Sequence, residues 1–155
     1  VAQVLGVTHA GCLAHARRRF HDAHKAQPNE TTGQAKVALE FIRELYKIER
    51  TLWDRDKPCT AEQRVHSRQT LSAPILARFH TWLEQLAPHV LPQGPLGKAI
   101  YYALGLWPKL TVFLTNGHVP IDNNRCENAI LPHVNYFDRP TTTIVAGAVG
   151  MMFVS

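Results

Sequence analysis

The chain has 155 residues, enough for one domain with a real core, and its 45% hydrophobic content is that of a globular protein. Seventeen Lys and Arg against twelve Asp and Glu give a net charge of +5 and a pI near 9.4, which favours an anionic partner such as nucleic acid without demanding one. No stretch reaches the roughly 18 apolar residues of a membrane span, and three widely spaced cysteines, Cys12, Cys59 and Cys126, argue against a disulfide framework and for a reducing compartment.

The N-terminus, Val1-Ala2-Gln3-Val4-Leu5-Gly6, has neither a basic leader nor an initiator Met, so the chain reads as starting inside something larger. Val7 to Leu13 predicts a short strand running into a helix over Ala14 to Ala26, which carries Arg17, Arg18 and Arg19 and stops before Gln27-Pro28-Asn29. A lone strand is not stable in water, so its sheet is expected to lie outside this chain. After Thr31-Thr32-Gly33, Ala38, Phe41, Leu45, Ile48 and Leu52 alternate spacings of three and four and predict the apolar stripe of a long helix. Pro58-Cys59-Thr60 breaks it, and Thr60 with Gln63 resembles a capping box. Helical pattern resumes through Leu71. Ser72-Ala73-Pro74 marks a kink or restart, and Ile75, Phe79, Trp82, Leu83 and Leu86 form the next stripe. Residues 88–95 read as a loop. Pro95 can open a further helix with Leu96, Ile100, Ala103 and Trp107 inward, kinked at Pro108 and closed by Asn116-Gly117. The fold class is therefore mainly α with a short strand, and three or four antiparallel helices with short loops suit a bundle.

Asp122-Asn123-Asn124-Arg125-Cys126-Glu127 sets two carboxylates five residues apart around polar groups. Magnesium favours carboxylate oxygens and retained waters, so one or two carboxylates suffice when a substrate phosphate completes the shell. The same segment is an ordinary helix start, with Asn124 and Glu127 spaced as a capping box and Asp122 and Asn123 as further cap residues. Both readings stand on the residues alone. Cys12-Leu13-Ala14-His15 offers a thiol and an imidazole, but zinc needs about four ligands and Cys59 and Cys126 lack a nearby partner. A buried cysteine beside a hydrogen-bonded histidine is the simpler account. Arg17, Arg18 and Arg19 span most of a helical turn, a spread that suits phosphates as well as a solvated face. Arg125 can likewise meet a phosphate or pair with Glu127. No glycine-rich phosphate loop, nucleophile elbow or dinucleotide fingerprint is present.

Five segments in one order resemble the transposases of the insertion sequence 66 family. They are residues 11–20 (Gly11-Cys12-Leu13-Ala14-His15-Ala16-Arg17-Arg18-Arg19-Phe20), 42–49, 72–76, 96–104 and 117–130. The resemblance implies a ribonuclease-H-like α/β core, only part of it in this chain, interrupted by a helical insertion. It divides the chain into a partial catalytic domain over 1–130 and a divergent tail over 131–155. Within the former, 6–26 is a strand and helix of the core, 33–116 the insertion and 117–130 a turn and helix bearing Glu127. It also implies an Asp-Asp-Glu triad holding two divalent ions, Mg2+ or Mn2+, for phosphodiester cleavage and strand transfer. By the resemblance Glu127 is the catalytic, metal-binding third carboxylate and faces a cleft near Cys12 and His15. Asp122, Asn123, Asn124, Cys12 and His15 are its scaffold, and Arg17, Arg18, Arg19 and Arg125 contact DNA. The implied setting is a bacterial cytoplasm, with DNA as partner, no membrane, and room for a homo-oligomer.

The family's two aspartates lie upstream of the segment that resembles residues 6–20, and Asp22 on the arginine helix is no substitute. Resemblance also fades at Leu131, where Leu131-Pro132-His133-Val134-Asn135-Tyr136-Phe137 departs from the family's basic-aromatic stretch. A truncated or frameshifted copy, inactive alone, is the expectation. The competing expectation is a non-catalytic helical DNA-binding or assembly module whose Arg17, Arg18, Arg19 and Lys25 meet backbone phosphates.

Overall fold

The computed structural model describes residues 8–26, 33–123, 143–147 and 150–154. The fold is mainly helical. Strand β1 (Thr8–Ala10) leads through Gly11 and Cys12 into α1 (Leu13–Ala26), followed by α2 (Gln34–Leu52), α3 (Ala61–Ser67), α4 (Ala73–Leu86), α5 (Pro95–Gly105) and the single turn α6 (Trp107–Leu110). Strands β2 (Thr143–Gly147) and β3 (Gly150–Val154) complete an antiparallel sheet of order β1-β2-β3, in register His9 with Val145 and Ile144 with Phe153. This corrects the expectation that the strand pairs outside the chain: the β-branched run Thr143-Ile144-Val145 provides its neighbour. The sheet described is wholly antiparallel, and a ribonuclease-H-like core is not among the described residues. No described helix is long and apolar enough to cross a membrane.

Helix α1 packs on α2 and α5, and α4 closes against α2 and α5. Phe79 of α4 centres the aromatic core. Its ring lies 5.1 Å from Phe41, 5.7 Å from Trp107 and 6.1 Å from Phe20, centroid to centroid. The buried line of α2 is Ala35, Ala38, Ile42, Leu45, Glu49 and Leu52, so Ala38, Leu45 and Leu52 of the expected stripe are buried, while Ile42 and Glu49 take the places expected of Phe41 and Ile48. Phe41 and Ile48 sit at its half-buried edge, because α2 is covered from two sides and Phe41 fills the seam toward Phe79 and Trp82. On α4 the buried line is Leu76, Phe79 and Leu83, with Ile75, Trp82 and Leu86 half-buried around it.

The capping box read from Thr60 and Gln63 is formed. The Gln63 amide donates to Thr60 Oγ1 at 3.2 Å and the Thr60 amide to Gln63 Oε1 at 2.8 Å. Between α3 and α4 the chain does not break. It passes through one π-helical turn, Arg68–Ser72, and α4 begins with Pro74 in its first turn, where a missing donor is harmless. Pro95 opens α5, and the kink expected at Pro108 is an end of α5 at Gly105 and a fresh start at Trp107.

Candidate functional site

The segment after α6 passes through a 3-10 turn, Val112–Leu114, and then a series of turns to Asn123. Its polar end is buried: Asp122 is 6% exposed and Asn123 1%. Burying these groups is costly unless each finds a hydrogen bond, and two elements supply them. The Tyr46 hydroxyl of α2 donates to Asp122 Oδ2 at 2.5 Å. The Cys12 thiol, at the β1–α1 junction, donates to Asn123 Oδ1 at 2.7 Å. The Leu13 amide, one of the unpaired donors of a first helical turn, donates to the Ile121 carbonyl at 3.2 Å.

This packing perturbs both donors. Burial pushes the Tyr46 hydroxyl far above its ordinary range, reinforced by the charge of Asp122 and the hydrogen bond to it, while Arg17 pulls the other way. Burial also raises the Cys12 thiol, opposed by the backbone of Asn123. Both stay protonated at neutral pH and act as donors, not nucleophiles.

A second layer holds the approach to the turn. Arg68, in the π-helical turn, is fully buried and meets Glu49 of α2 through two bonds of 2.7 Å, Nε to Oε1 and NH2 to Oε2. Its remaining terminal nitrogen donates to the carbonyls of Phe113 at 2.8 Å and Asn116 at 3.1 Å. Trp53 Nε1 donates to Glu49 Oε2 at 3.0 Å, so every oxygen of this buried carboxylate is engaged. Arg64 Nε donates to the Gly117 carbonyl at 2.8 Å. A Cβ on Gly117 would stand 2.0 Å from the Ala61 carbonyl oxygen, so only glycine lets the turn lie this close to the start of α3.

Two openings flank Tyr46. One, of about 350 Å³, is lined by Tyr46, Glu49, Arg50, Trp53, Pro120 and Asp122 among others. The other, of about 390 Å³ between α1 and α2, includes Arg17, His21, Glu40, Arg43, Tyr46 and Arg50. The arginine triplet does not act as one patch. Arg17 lines the α1–α2 groove, Arg18 is exposed, and Arg19 lies over the Tyr102 ring at 4.1 Å.

Of the residues singled out from sequence, Cys12, Asp122 and Asn123 come together. His15 stands half-buried on the first turn of α1, its amide bonded to the Cys12 carbonyl at 3.2 Å. Asn124, Arg125 and Glu127 lie outside the described residues. Among the described residues no three His, Cys, Asp or Glu gather to hold a metal ion, and Asp122, the carboxylate of the turn, is already bound by Tyr46. Tyr46, Glu49, Arg68 and Arg64 are the participants that sequence reasoning missed. Tyr46 and Glu49 fell there within the 42–49 segment that resembles the family, without a role of their own, and no local signal tied them to residues far along the chain.

Comparison with known proteins bears on what this turn belongs to. A family model described as "Transposase IS66 family" matches residues 1–135. Uncharacterized protein y4jD of Sinorhizobium fredii is 35% identical over 121 residues, covering 78% of this chain and 22% of that protein. Uncharacterized proteins y4qI and y4hP of the same organism are 33% and 31% identical, over 79% and 80% of this chain and 22% and 23% of their own lengths. The chain thus spans about a fifth of the length of these relatives. No solved structure matches it.

Proposed function

The chain belongs to the transposase IS66 family, and from that premise we propose that residues 1–130 are part of a transposase catalytic domain acting in DNA transposition in a bacterial cytoplasm. Residues 6–26 would be a strand and helix of a ribonuclease-H-like core, 33–116 a helical insertion, 117–130 the turn and helix bearing the acidic residue, and 131–155 a divergent tail. Glu127 is the proposed catalytic carboxylate. Cys12, His15, Asp122, Asn123 and Asn124 are its scaffold, with DNA contacts from Arg17, Arg18, Arg19 and Arg125.

One observation supports the reading above the others. The Asp122–Asn123 turn is fastened to two distant parts of the matched region, through Cys12 to the start of α1 and through Tyr46 to α2. A carboxylate that must meet a scissile phosphate within a fraction of an ångström needs such fastening. The same bonds support the scaffold role proposed for Asp122, whose buried carboxylate accepts from the Tyr46 hydroxyl.

The family suggests divalent-metal chemistry in general. The described donors do not make up such a site, since Asp122 is buried and engaged by Tyr46. Glu127 would contribute one carboxylate, and aspartates from a longer protein the others. The purified chain is accordingly expected to show no Mg2+-dependent cleavage of duplex DNA. Fused behind the upstream segment of a family member, it is expected to restore cleavage, and Glu127→Gln is expected to abolish it. Undiminished cleavage by that variant would overturn the role of Glu127.

A second reading, a non-catalytic DNA-binding or assembly module able to form a homo-oligomer, is favoured by the exposed arginines of α1. It predicts DNA affinity from this chain that falls steeply with salt.

A further inference from the structure

We propose that the groove between α1 and α2 is a track for the phosphate backbone of DNA, gripped by Arg17, Arg43 and Arg50 and leading toward the Asp122 turn. The proposal rests on the reading of the chain as part of a DNA-processing protein and gives that reading a surface.

The placement follows from helix geometry. Along α2, Leu39, Arg43, Tyr46 and Arg50 are spaced by four, three and four residues and share one face. That face is distinct from the buried line of Ala38, Ile42, Leu45 and Glu49. Along α1, Ala14, Arg17 and His21 repeat the same spacing and face the same groove. Arg17, Arg43 and Arg50 are all exposed, so a ligand in solution can reach them. Arg43 and Arg50 are seven residues apart, about 10 Å along the helix axis at the α-helical rise. That is longer than the gap between neighbouring phosphates of a strand, so the two arginines can meet different phosphates.

Direction comes from the residues shared with the second opening. Tyr46 and Arg50 line both, and Asp122 lines the opening of about 350 Å³ on the far side of Tyr46. A strand lying along the arginines therefore arrives beside the turn. Arg17 is also close enough to Tyr46 for its charge to act on the hydroxyl. Among the described residues that line the groove Glu40 is the one acidic residue, and it pairs with Arg43 on the exposed surface. Such a pair is worth little in water, so a phosphate can displace Glu40 from Arg43.

The test is fluorescence-anisotropy binding of a labelled 20-base-pair duplex to the full chain across a salt series. The triple variant Arg17→Gln, Arg43→Gln, Arg50→Gln is expected to weaken binding by roughly tenfold or more and to flatten the log K against log salt slope by two to three units, about 0.9 per lost phosphate contact. A control triple, Arg55→Gln, Lys98→Gln, Lys109→Gln, removes the same charge from exposed positions that do not line the groove. It should change affinity by less than about threefold. Glu40→Gln should tighten binding, and polyglutamate at equal charge should not displace the duplex. Circular dichroism of the groove variant, whose replaced side chains are exposed, is expected to match the parent. Equal loss in both triples would mean diffuse attraction to net charge and would overturn the groove, as would displacement by polyglutamate. Parent-like binding by the groove variant would overturn the groove while leaving DNA binding intact. Absence of binding by the parent chain would overturn the groove and the DNA-binding reading together.

Discussion

At the residue scale the Tyr46–Asp122 hydrogen bond has the largest consequence for the turn. Tyr46→Phe keeps the ring and removes the hydroxyl, leaving a nearly buried carboxylate short of a donor. That deficit costs about 1–3 kcal/mol, and urea denaturation at neutral pH is expected to show a loss of that size. An unchanged midpoint would mean that the bond contributes nothing net. Cys12 gives a pH signature. Its folded value lies above the ordinary 9.0 because of burial, so the folded chain keeps this proton to higher pH than the unfolded chain. The resulting stability is present in full below about pH 9 and is lost as pH rises through the folded value. Tyr46 acts in the same direction from its ordinary 10.0. Stability should therefore fall in alkali, and Tyr46→Phe should show a shallower fall. In a Cys126→Ser background, a thiol reagent at pH 8 should label half-exposed Cys59 well before buried Cys12. The resemblance had already set Cys12 beside the turn, but the Tyr46–Asp122 pairing was not legible in the sequence. Tyr46 and Asp122 are 76 residues apart, and nothing in either neighbourhood announces the other.

At the scale of elements, local chemistry was legible and long-range satisfaction was not. Thr60 and Gln63 announce their capping box because both partners lie within one turn, and Pro95 announces a helix start for the same reason. The stripe of α2 was read correctly at Ala38, Leu45 and Leu52 and one position off at Phe41 and Ile48, because periodicity fixes a repeat but not which of two flanking neighbours each edge will meet. The π-helical turn at Arg68–Ser72 showed in the sequence only as the kink or restart read at Ser72-Ala73-Pro74. Its role is visible in what it carries: Arg68 reaches Glu49 and two carbonyls from a fully buried position. Breaking a buried ion pair strands the surviving charge. Arg68→Met or Glu49→Leu alone is therefore expected to cost roughly 3–5 kcal/mol, and the double variant less than the sum of the two. Additive losses in chemical denaturation would show that the pair itself is not coupled.

At the scale of the whole molecule, the turn from Phe113 to Asn123 is where separate parts of the chain converge. Arg68 and Arg64 grip its first half at Phe113, Asn116 and Gly117. Tyr46 and Cys12 grip its second half at Asp122 and Asn123, and the Leu13 amide closes onto Ile121. Residues between 33 and 116 thus set the position of a turn that also seats the first helix. The α-helical region is then not a detachable appendage: loosening one grip should be felt at another. The Leu13 amide reports this directly, since its acceptor, Ile121, belongs to the turn while the hydrogen bonds of Arg68 go to Glu49, Phe113 and Asn116. Removing Arg68 releases the carbonyls of Phe113 and Asn116 and frees the turn to detach without global unfolding. In Arg68→Met, hydrogen exchange at Leu13 is expected to accelerate more than at Phe79 or Leu83 amides in the middle of α4, measured under conditions where the variant remains folded. Equal acceleration at all three sites would mean that the variant only lowers global stability. Unchanged exchange at Leu13 would mean that the two halves of the turn are held independently. Selective acceleration would make the Asp122 turn one cooperative unit with the helices on which it rests.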